Sequence, residues 1–473
     1  MPPARQIYLL NPETLSPETI AVTFAKTSRS PKSFKEIASE LTEETSADFH
    51  EKWVVGYGHA SVAEHAVLHI ALENISRLAV ENLESNRLAS YTEKSSRYQL
   101  WDASNFFIPP ELTSHALNNL YIDTCQELLS AYQQTLPVLQ STAERIYPRA
   151  HGENENTWKQ RIRSISLDAC RYYLPASCLT NVGMTINARE LEHALCKMLS
   201  HPLQEIQQIG QEMKSIAQDQ IPTLVKYSNA IPYLQGACHK VQTILKQEKL
   251  QGEEKKWFEV VQYNTQDEIN VLAAMLFQSN PSSMYSCREQ VSNDPILQRK
   301  LVNILFDNLD EHDTPLRDLE HAWVTIDVIL DQGAFGELKR HRMMTLTPQS
   351  FTPLLGFAIP NLITQAKFNE QYCQLMETAK KTYKKLHSFN KDVSPYILPN
   401  AYNRRVLITL NLRTAYHLIG LRTSTNAHFA MRRFALRLSE EITQLFPLLG
   451  PHFQPGTNET WQQIENDYFT QTR

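Results

Sequence analysis

Residues 174–191 read "LPASCLTNVGMTINAREL", and residues 398–415 read "LPNAYNRRVLITLNLRTA". Each stretch passes from a run with β-branched residues into a helix-like pattern, and the change comes at Asn187 in the first and at Asn411 in the second. In both, the asparagine stands twelve positions after the first proline, with an arginine two positions later and a histidine six positions later. We therefore predict two copies of one strand-to-helix unit in this chain.

Two further pairs of segments resemble each other in the same order along the chain. Residues 58–83, "GHASVAEHAVLHIALENISRLAVENL", resemble residues 312–338, "HDTPLRDLEHAWVTIDVILDQGAFGEL", in a Glu-His pair that precedes a long apolar segment. Residues 7–32 and residues 259–283 each contain a β-type run, a polar turn and a helix-like segment. Three similarities in one order indicate a diverged tandem duplication.

The length of 473 residues accommodates two domains of ordinary size. We expect an N-terminal domain over residues 1–240 and a C-terminal domain over residues 258–473. The charged stretch 241–257 is either an exposed helix or a linker. The predicted fold class is helix-rich α+β, with one β-sheet in each half packed against long α-helices.

Apolar residues that recur at three- and four-residue steps predict several helices. We expect an amphipathic helix over residues 66–83 and two helices over residues 113–146, separated near Pro137. Residues 414–422 and 427–446 show the same helical pattern.

The composition excludes several classes of protein. Glycine is scarce, with 13 residues, and neither a GxGxxG nor a P-loop motif is present, so side chains would have to hold the phosphates of any bound nucleotide. The net charge of −5 with dispersed basic residues argues against nucleic-acid binding. The sequence contains no apolar run long enough to span a membrane and no signal-peptide core. The seven cysteines show no metal-type spacing, which favours reduced thiols in a cytoplasmic protein without a metal site.

A polar motif in the N-terminal half identifies a family. "GHASVAEH" is followed after nineteen residues by "SNRLASYTEKSSRY" at residues 85–98. This arrangement resembles the flavin-dependent thymidylate synthase (ThyX) family, whose motif begins with Arg-His-Arg and ends with Glu-x-Ser-x-Arg-Tyr. The departures are Ser85 and Asn86 in place of the Arg-His head and Thr92 in place of an asparagine. The residues that match are Arg87, Ser90, Glu93, Ser95, Arg97 and Tyr98.

The C-terminal half departs from the same motif in the opposite sense. Residues 340–353, "RHRMMTLTPQSFTP", keep the Arg-His-Arg head. Their tail carries Pro348, Thr352 and Pro353 where the family has glutamate, arginine and tyrosine.

The losses elsewhere are complementary as well. Arg171 of the N-terminal half has Pro395 as its counterpart, and Arg422 of the C-terminal half has Met198. In the family the enzyme is a homotetramer whose sites are assembled across subunits. The resemblance therefore implies a composite site, to which the N-terminal half contributes the tail and the C-terminal half the head.

The resemblance also implies roles for individual side chains. Arginine forks can bind phosphate oxygens of deoxyuridylate (dUMP) in bidentate geometry. The implied dUMP-binding residues are Glu93, Ser95, Ser96, Arg97, Arg171, Arg340 and Arg422. The implied residues of the flavin (FAD) pocket are His59, Ser61, Asn187, Arg189, His193, Arg340, His341, Arg342, Asn411, Arg413 and His417. Arg422, beside the uracil edge, and Ser95, where a nucleophile has been considered, are the candidates for catalysis; we assign Ser95 to binding.

The implied reaction is the reductive methylation of dUMP to thymidylate. FAD is the cofactor, and NADPH and methylenetetrahydrofolate are the co-substrates. We expect a homodimer that acts as a pseudo-tetramer, with one FAD per chain. Two alternatives stay open: a non-catalytic protein that binds flavin or nucleotide, and a structural partner that caps a synthase subunit.

Overall fold

Two antiparallel β-sheets, one in each half of the chain, organise the fold. The computed structural model describes residues 8, 10, 12–28, 30–56, 60–245, 256–310 and 313–470. The prediction of an α+β fold with one sheet per half is confirmed.

The two sheets share a core of three corresponding strands. The N-terminal sheet contains β1 (Val67–Ser76), β2 (Ala89–Glu93) and β3 (Leu179–Asn187), in the order β1-β3-β2. The C-terminal sheet contains β4 (Phe258–Tyr263), β5 (Trp323–Asp331), β6 (Thr345–Pro348) and β7 (Asn403–Asn411), in the order β4-β5-β7-β6. Ser90 lies opposite Thr185 as Thr345 lies opposite Thr409, so β2 corresponds to β6 and β3 to β7.

Helices make up most of the remaining structure. Those of the N-terminal half are α1 (Pro17–Thr27), α2 (Phe34–Ser39), α3 (Glu43–Phe49), α4 (Arg77–Leu83), α5 (Asn118–Ile146), α6 (Glu155–Cys170), α7 (Ala188–Leu199), α8 (Gln204–Gln218), α9 (Pro222–Val225) and α10 (Pro232–Leu245). Those of the C-terminal half are α11 (Asp267–Ser279), α12 (Met284–Asn293), α13 (Pro295–Phe306), α14 (Gln332–Leu338), α15 (Asn361–Gln365), α16 (Asn369–Phe389), α17 (Leu412–Arg422), α18 (Phe429–Leu445) and α19 (Trp461–Tyr468). The 3-10 helices are Ala60–His65, Pro110–Leu112, Arg171–Tyr173, Arg317–His321, Pro353–Leu355, Ser394–Ile397 and Gly450–His452, and His50–Gly56 is a π-helix.

The predicted strand-to-helix units are present in both halves. The Asn187 side chain accepts a hydrogen bond from the Glu190 amide at 2.9 Å, and the Asn411 side chain accepts one from the Thr414 amide at 2.8 Å. Each asparagine thereby satisfies an amide that the first turn of a helix leaves without a partner. The spacing noted in the sequence therefore marks the point where β3 passes into α7 and β7 into α17.

The prediction of one helix over residues 66–83 was wrong. The segment forms β1 and then the short helix α4, because β1 pairs along its length with β3. A bulge between Leu72 and Ile75, with Asn74 at a φ of 57°, puts both apolar side chains on the buried side. The buried positions 72 and 75 are therefore three residues apart, as on one face of a helix.

The prediction of a break near Pro137 was also wrong. Helix α5 runs through Pro137 without interruption for 29 residues. A proline inside a helix costs about 3 kcal/mol, and Leu136 and Leu139 are buried beside it. Their packing offsets the lost hydrogen bond.

The two halves join directly through the segments quoted at the outset. The Ala176 amide donates to the Leu398 carbonyl at 3.0 Å, and the Asn400 amide donates to the Leu174 carbonyl at 3.0 Å. This reciprocal pairing places the two sheets on either side of a shared boundary. We refer to it as the central boundary.

Residues 246–255 lie outside the described residues, so most of the proposed linker does too. In the β-type run that begins at residue 7, residues 7 and 9 also lie outside the described residues. The domain limits at 240 and 258 therefore stay predictions. Among the helices that the structure describes, none is both long and apolar enough to cross a membrane.

Candidate functional site

A buried carboxylate links the two halves of the chain at the central boundary. Arg171, from the 3-10 helix after α6, donates through Nη1 to Glu337 Oε1 at 3.0 Å. Arg422, the last residue of α17, donates through Nη1 to the other oxygen, Oε2, at 3.1 Å. Glu337 lies in α14 and is buried, as is Arg171, which is 3% exposed. Burial alone would raise the pKa of Glu337, but the surrounding arginines hold it below its ordinary value.

Local sequence explains how Arg171 comes so close to α14. The Asp331 side chain caps this helix by accepting from the Ala334 amide at 2.8 Å, and it also accepts from the Tyr172 hydroxyl at 3.0 Å. A Cβ atom at Gly333 would lie 3.1 Å from Asp331 Oδ1 and 3.3 Å from Arg171 Nη2. The glycine therefore provides the space that the arginine needs.

A second contact joins the motif tail of the N-terminal half to the motif head of the C-terminal half. Arg340 donates through Nη2 to Glu93 Oε2 at 3.2 Å. Arg77, at the start of α4, lies 3.2 Å from the other oxygen of this buried carboxylate. Burial would raise the pKa of Glu93, but Arg77, Lys339 and Arg340 lower it. The complementary motif segments thus meet within one chain.

Arg97 completes the set of arginines. It binds Asp168 in bidentate geometry, at 2.6 Å from Nε and 2.8 Å from Nη2, and also donates to the Asn426 carbonyl at 2.9 Å. Despite burial, Asp168 raises the pKa of Arg97. Ser95 accepts from the Arg97 amide at 3.2 Å, and Ser96 is buried beside it in the sequence.

The charges of this cluster do not cancel. Five arginines face three carboxylates in these ion pairs, and Asp331 beside Arg171 adds a fourth carboxylate, which leaves an excess of one positive charge. The arginines are Arg77, Arg97, Arg171, Arg340 and Arg422, and the carboxylates of the ion pairs are Glu93, Asp168 and Glu337. Such an excess is complementary to a phosphate monoester, which is close to a dianion at neutral pH.

His341 is held in its neutral form. Arg422 donates through Nε to His341 Nε2 at 2.9 Å, so Nε2 is the acceptor and Nδ1 carries the proton. Burial, Arg422 and the neighbouring His417 lower the pKa of His341 to about 3. The His417 ring lies 6.0 Å from the His341 ring, which brings one residue of the predicted flavin set to the arginine cluster.

Arg342 reaches back across the central boundary. It donates through Nη1 to the Arg87 carbonyl at 3.2 Å and contacts the Ala89 carbonyl. In the reverse direction, Arg87 donates through Nη2 to Thr345 Oγ1 at 3.1 Å. The two motif heads are therefore bound to each other's following strands.

The other predicted flavin residues that the structure describes lie outside the arginine cluster. Asn187 and Asn411 cap helices, as described above. Arg189 forms an exposed ion pair with Glu64 at 2.5 Å, and Arg413 contacts Glu320 at 2.9 Å in the corresponding place.

Two of the three remaining predicted residues can be located. Ser61 and His193 are exposed, and His59 lies outside the described residues. The set is therefore distributed over corresponding positions in both halves, and among its described members outside the head, His417 is the one in contact with a head residue, His341.

Sequence reasoning missed Glu337, Asp168 and Arg77. A signal was present for two of them, because Glu337 precedes Arg340 by three positions and Asp168 precedes Arg171 by three. Residues three apart lie on one face of a helix, so an acidic residue there is available to the same cluster. Arg77 had no comparable signal.

Comparisons with known proteins agree with the two-part organisation. The family profile described as "Thymidylate synthase complementing protein" matches residues 10–223 and again residues 259–448. A UPF0159 protein of Chlamydia muridarum is 27% identical over 428 residues, which cover 86% of this chain and 80% of the relative. A UPF0159 protein of Thermoplasma acidophilum is 24% identical over 456 residues, which cover 87% and 89%.

A shorter relative matches about one half of the chain. The flavin-dependent thymidylate synthase of Clostridium tetani is 30% identical over 220 residues, which cover 46% of this chain and 83% of the synthase. The chain is thus similar over most of its length to proteins whose name states no activity. It is similar over one half to a synthase.

Proposed function

Because the chain belongs to the thymidylate synthase complementing protein family, we propose that it is a flavin-dependent thymidylate synthase. It would convert dUMP to thymidylate with FAD as cofactor, and NADPH and methylenetetrahydrofolate as co-substrates. The reaction would take place at one composite site, built from the motif tail of the N-terminal half and the motif head of the C-terminal half.

One observation carries this proposal: the contact between Arg340 and Glu93 at 3.2 Å, in a cluster with an excess of positive charge. The retained parts of two incomplete motifs adjoin each other there. If both motifs had simply lost their function, their remaining residues would not be expected to complement each other at one place.

Accessible arginines would bind the phosphate. The Arg340 side chain is 48% exposed and uses one nitrogen for Glu93, so its other donors can reach a ligand. Arg97 is oriented by Asp168 and lies beside the hydroxyl of Ser95. Arg171 donates to Glu337 through Nη1 alone, and its Nε and Nη2 meet no acceptor among the described residues, so it stays a candidate for the phosphate.

Arg422 and His341 would act on the pyrimidine. A guanidinium beside the uracil edge stabilises negative charge that develops as the ring is attacked. The neutral His341 can donate from Nδ1 while Arg422 holds its Nε2. Both groups come from the C-terminal half.

The residues present fit a flavin dinucleotide. FAD would supply the redox chemistry, which amino-acid side chains cannot provide. Arg413 and His417 lie four positions apart on α17, the helix that ends with Arg422, so they share one helix face. With Arg342 and Asn411 of the same half, they would supply the cationic and polar groups that suit a pyrophosphate.

The functional unit would be a homodimer whose four halves imitate a tetramer. Each chain would hold one FAD, because the second pairing of tail and head lacks the corresponding arginines. Spectroscopic measurement of FAD per chain tests this stoichiometry: one is expected, and two would contradict it.

A non-catalytic role in nucleotide or flavin binding is favoured by one observation. Glu337 already accepts from Arg171 and Arg422, two arginines that the family resemblance assigns to the substrate. A carboxylate there competes with an anionic ligand.

Tritium release from dUMP labelled at carbon 5 distinguishes the candidates. With FAD, NADPH and methylenetetrahydrofolate present, we expect release that depends on the purified chain. FAD binding without tritium release would support the non-catalytic role. Absence of both would support a structural partner.

A further inference from the structure

A cleft with a volume of about 390 Å³ lies at the central boundary, and none of its lining residues belongs to the arginine cluster; we call it the second cleft. Clefts that bind small organic molecules have volumes of roughly 300–1,000 Å³. Its walls come from both halves and include Glu81, Asn82, Ser350, Phe351, Tyr383 and Arg404.

This cleft is the internal counterpart of the arginine cluster. Glu93 lies opposite Val182 at the end of β2, and Pro348 lies opposite Val406 at the end of β6. Ser95 and Ser350, each two residues further on, are therefore equivalent positions, and Ser350 lines the second cleft. Here the motif tail comes from the C-terminal half.

None of the four arginines of the predicted substrate set is kept at the second cleft. In chain order, Arg97, Arg171, Arg340 and Arg422 correspond to Thr352, Pro395, Ser85 and Met198. Thr352, Pro395 and Ser85 all line the cleft. Asn82 stands at the position of Glu337, so the buried carboxylate is replaced by a neutral amide.

The positive and negative charges of the side chains that line the second cleft are equal in number. Arg404 donates to Glu81 at 2.6 Å and to the Gln349 carbonyl at 2.6 Å, and it is buried. Lys391 and Asp392 add one charge of each sign. The lining thus offers a dianion no net attraction, which favours an uncharged ligand.

The cleft is lined by aromatic side chains and hydrogen-bonding groups, which together suit a ligand with an aromatic ring and polar substituents. Tyr383 and His387 stack with ring centroids 5.4 Å apart, and the apolar Phe351 lines the same cleft. Asn82 Oδ1 meets no hydrogen-bond donor among the described residues, and a buried polar atom without a partner is costly. The hydroxyl groups of Ser350 and Thr352 add further hydrogen-bonding groups.

We propose that the second cleft binds an uncharged nucleoside. It has the size, the aromatic surface and the hydroxyl groups that suit a base and a sugar, and it lacks the arginines that suit a phosphate. The choice of a nucleoside rests on the proposed function, since it takes the counterpart of this cleft to be a nucleotide site.

Calorimetric titration of the full chain with deoxyuridine, thymidine and dUMP tests the proposal. Ser350→Trp places a large side chain at an exposed position in the second cleft, and Ser95→Trp makes the matched change in the arginine cluster. We expect Ser350→Trp to weaken the binding of at least one nucleoside tenfold or more and to leave dUMP binding unchanged. We expect Ser95→Trp to weaken dUMP binding tenfold or more and to leave nucleoside binding unchanged.

The proposal would be overturned if no nucleoside bound at millimolar concentration. It would also be overturned if Ser350→Trp left nucleoside binding intact, or if nucleoside binding were lost with Ser95→Trp and not with Ser350→Trp. The proposed function is judged separately, by dUMP binding to the unchanged chain. Nucleoside binding lost with Ser350→Trp would support the second site even if dUMP failed to bind.

Discussion

Arg171 of the N-terminal half and Glu337 of the C-terminal half form a buried ion pair, with 3.0 Å between Nη1 and Oε1. The same carboxylate binds Arg422, so one side chain of α14 holds an arginine from each half. The site is therefore assembled across the central boundary inside one chain. It depends on the boundary staying closed.

Removing this carboxylate should destabilise the protein strongly. Glu337→Ala leaves Arg171 and Arg422 without their shared partner, and a buried charge without its partner costs about 3–5 kcal/mol. We expect a loss of that order in the free energy of unfolding, measured by urea denaturation. Glu64→Ala, which removes the exposed ion pair with Arg189, is the control and should change it by less than about 1 kcal/mol. Equal effects would contradict the role of Glu337.

Two glycines of α14 should respond in opposite directions to alanine. Gly333→Ala places a methyl group 3.1 Å from Asp331 Oδ1 and 3.3 Å from Arg171 Nη2, so it should lower the melting temperature. Gly336→Ala meets no atom within 4 Å and should stabilise the helix by about 0.5–1 kcal/mol. Thermal unfolding of both variants checks the sign. Stabilisation by Gly333→Ala would contradict the close approach of Arg171.

His341 should make the protein less stable in acid. Its pKa is about 3 in the folded chain and about 6.5 when unfolded, so the unfolded state binds the extra proton as pH falls below 6.5. The stability contributed by neutral His341 is present above pH 6.5 and is lost progressively toward pH 3. At pH 5 the loss is about 2 kcal/mol.

His341→Gln isolates this effect, because glutamine keeps an acceptor for Arg422 and does not titrate. Between pH 7 and pH 5, we expect the variant to gain about 2 kcal/mol relative to the unchanged chain in urea unfolding. His193→Gln, at an exposed position, should show no such gain. A parallel pH dependence of His341→Gln and the unchanged chain would show that His341 is not buried as neutral imidazole.

The sequence predicted those features that local spacing encodes. Asn187 and Asn411 mark helix starts because an N-cap acts on its own first turn, within three residues. The one-helix reading of residues 66–83 failed because β1 is formed by pairing with β3, more than 100 residues away, and a bulge disguised its period. The predicted helix break at Pro137 was wrong for a similar reason, because α5 is kept intact by tertiary packing.

In the candidate site, too, the sequence predicted individual residues but not the contacts between distant segments. The motif resemblance selected Glu93, Arg97 and Arg340; in the structure Arg340 contacts Glu93, and both Arg97 and Arg340 lower the pKa of Glu337. The resemblance gave no indication that Glu337 binds Arg171, because that contact joins positions 166 residues apart. The second cleft was likewise out of reach, because its walls meet only when the halves pair.

Mixed dimers test the central claim, that tail and head combine within one chain. Arg97→Ala and Arg340→Ala each remove one arginine of the same proposed dUMP site. If that site lies within a chain, every site in a mixed dimer carries one defect. If tail and head came from different chains, one site of each mixed dimer would be intact.

The measurement is calorimetric titration of dUMP into purified mixed dimers, obtained by co-expressing the two variants with different tags. The unchanged chain should bind one dUMP per chain, and each variant alone should bind none. We expect the mixed dimers to bind none as well. Recovery of one dUMP per two chains would contradict a site built within one chain.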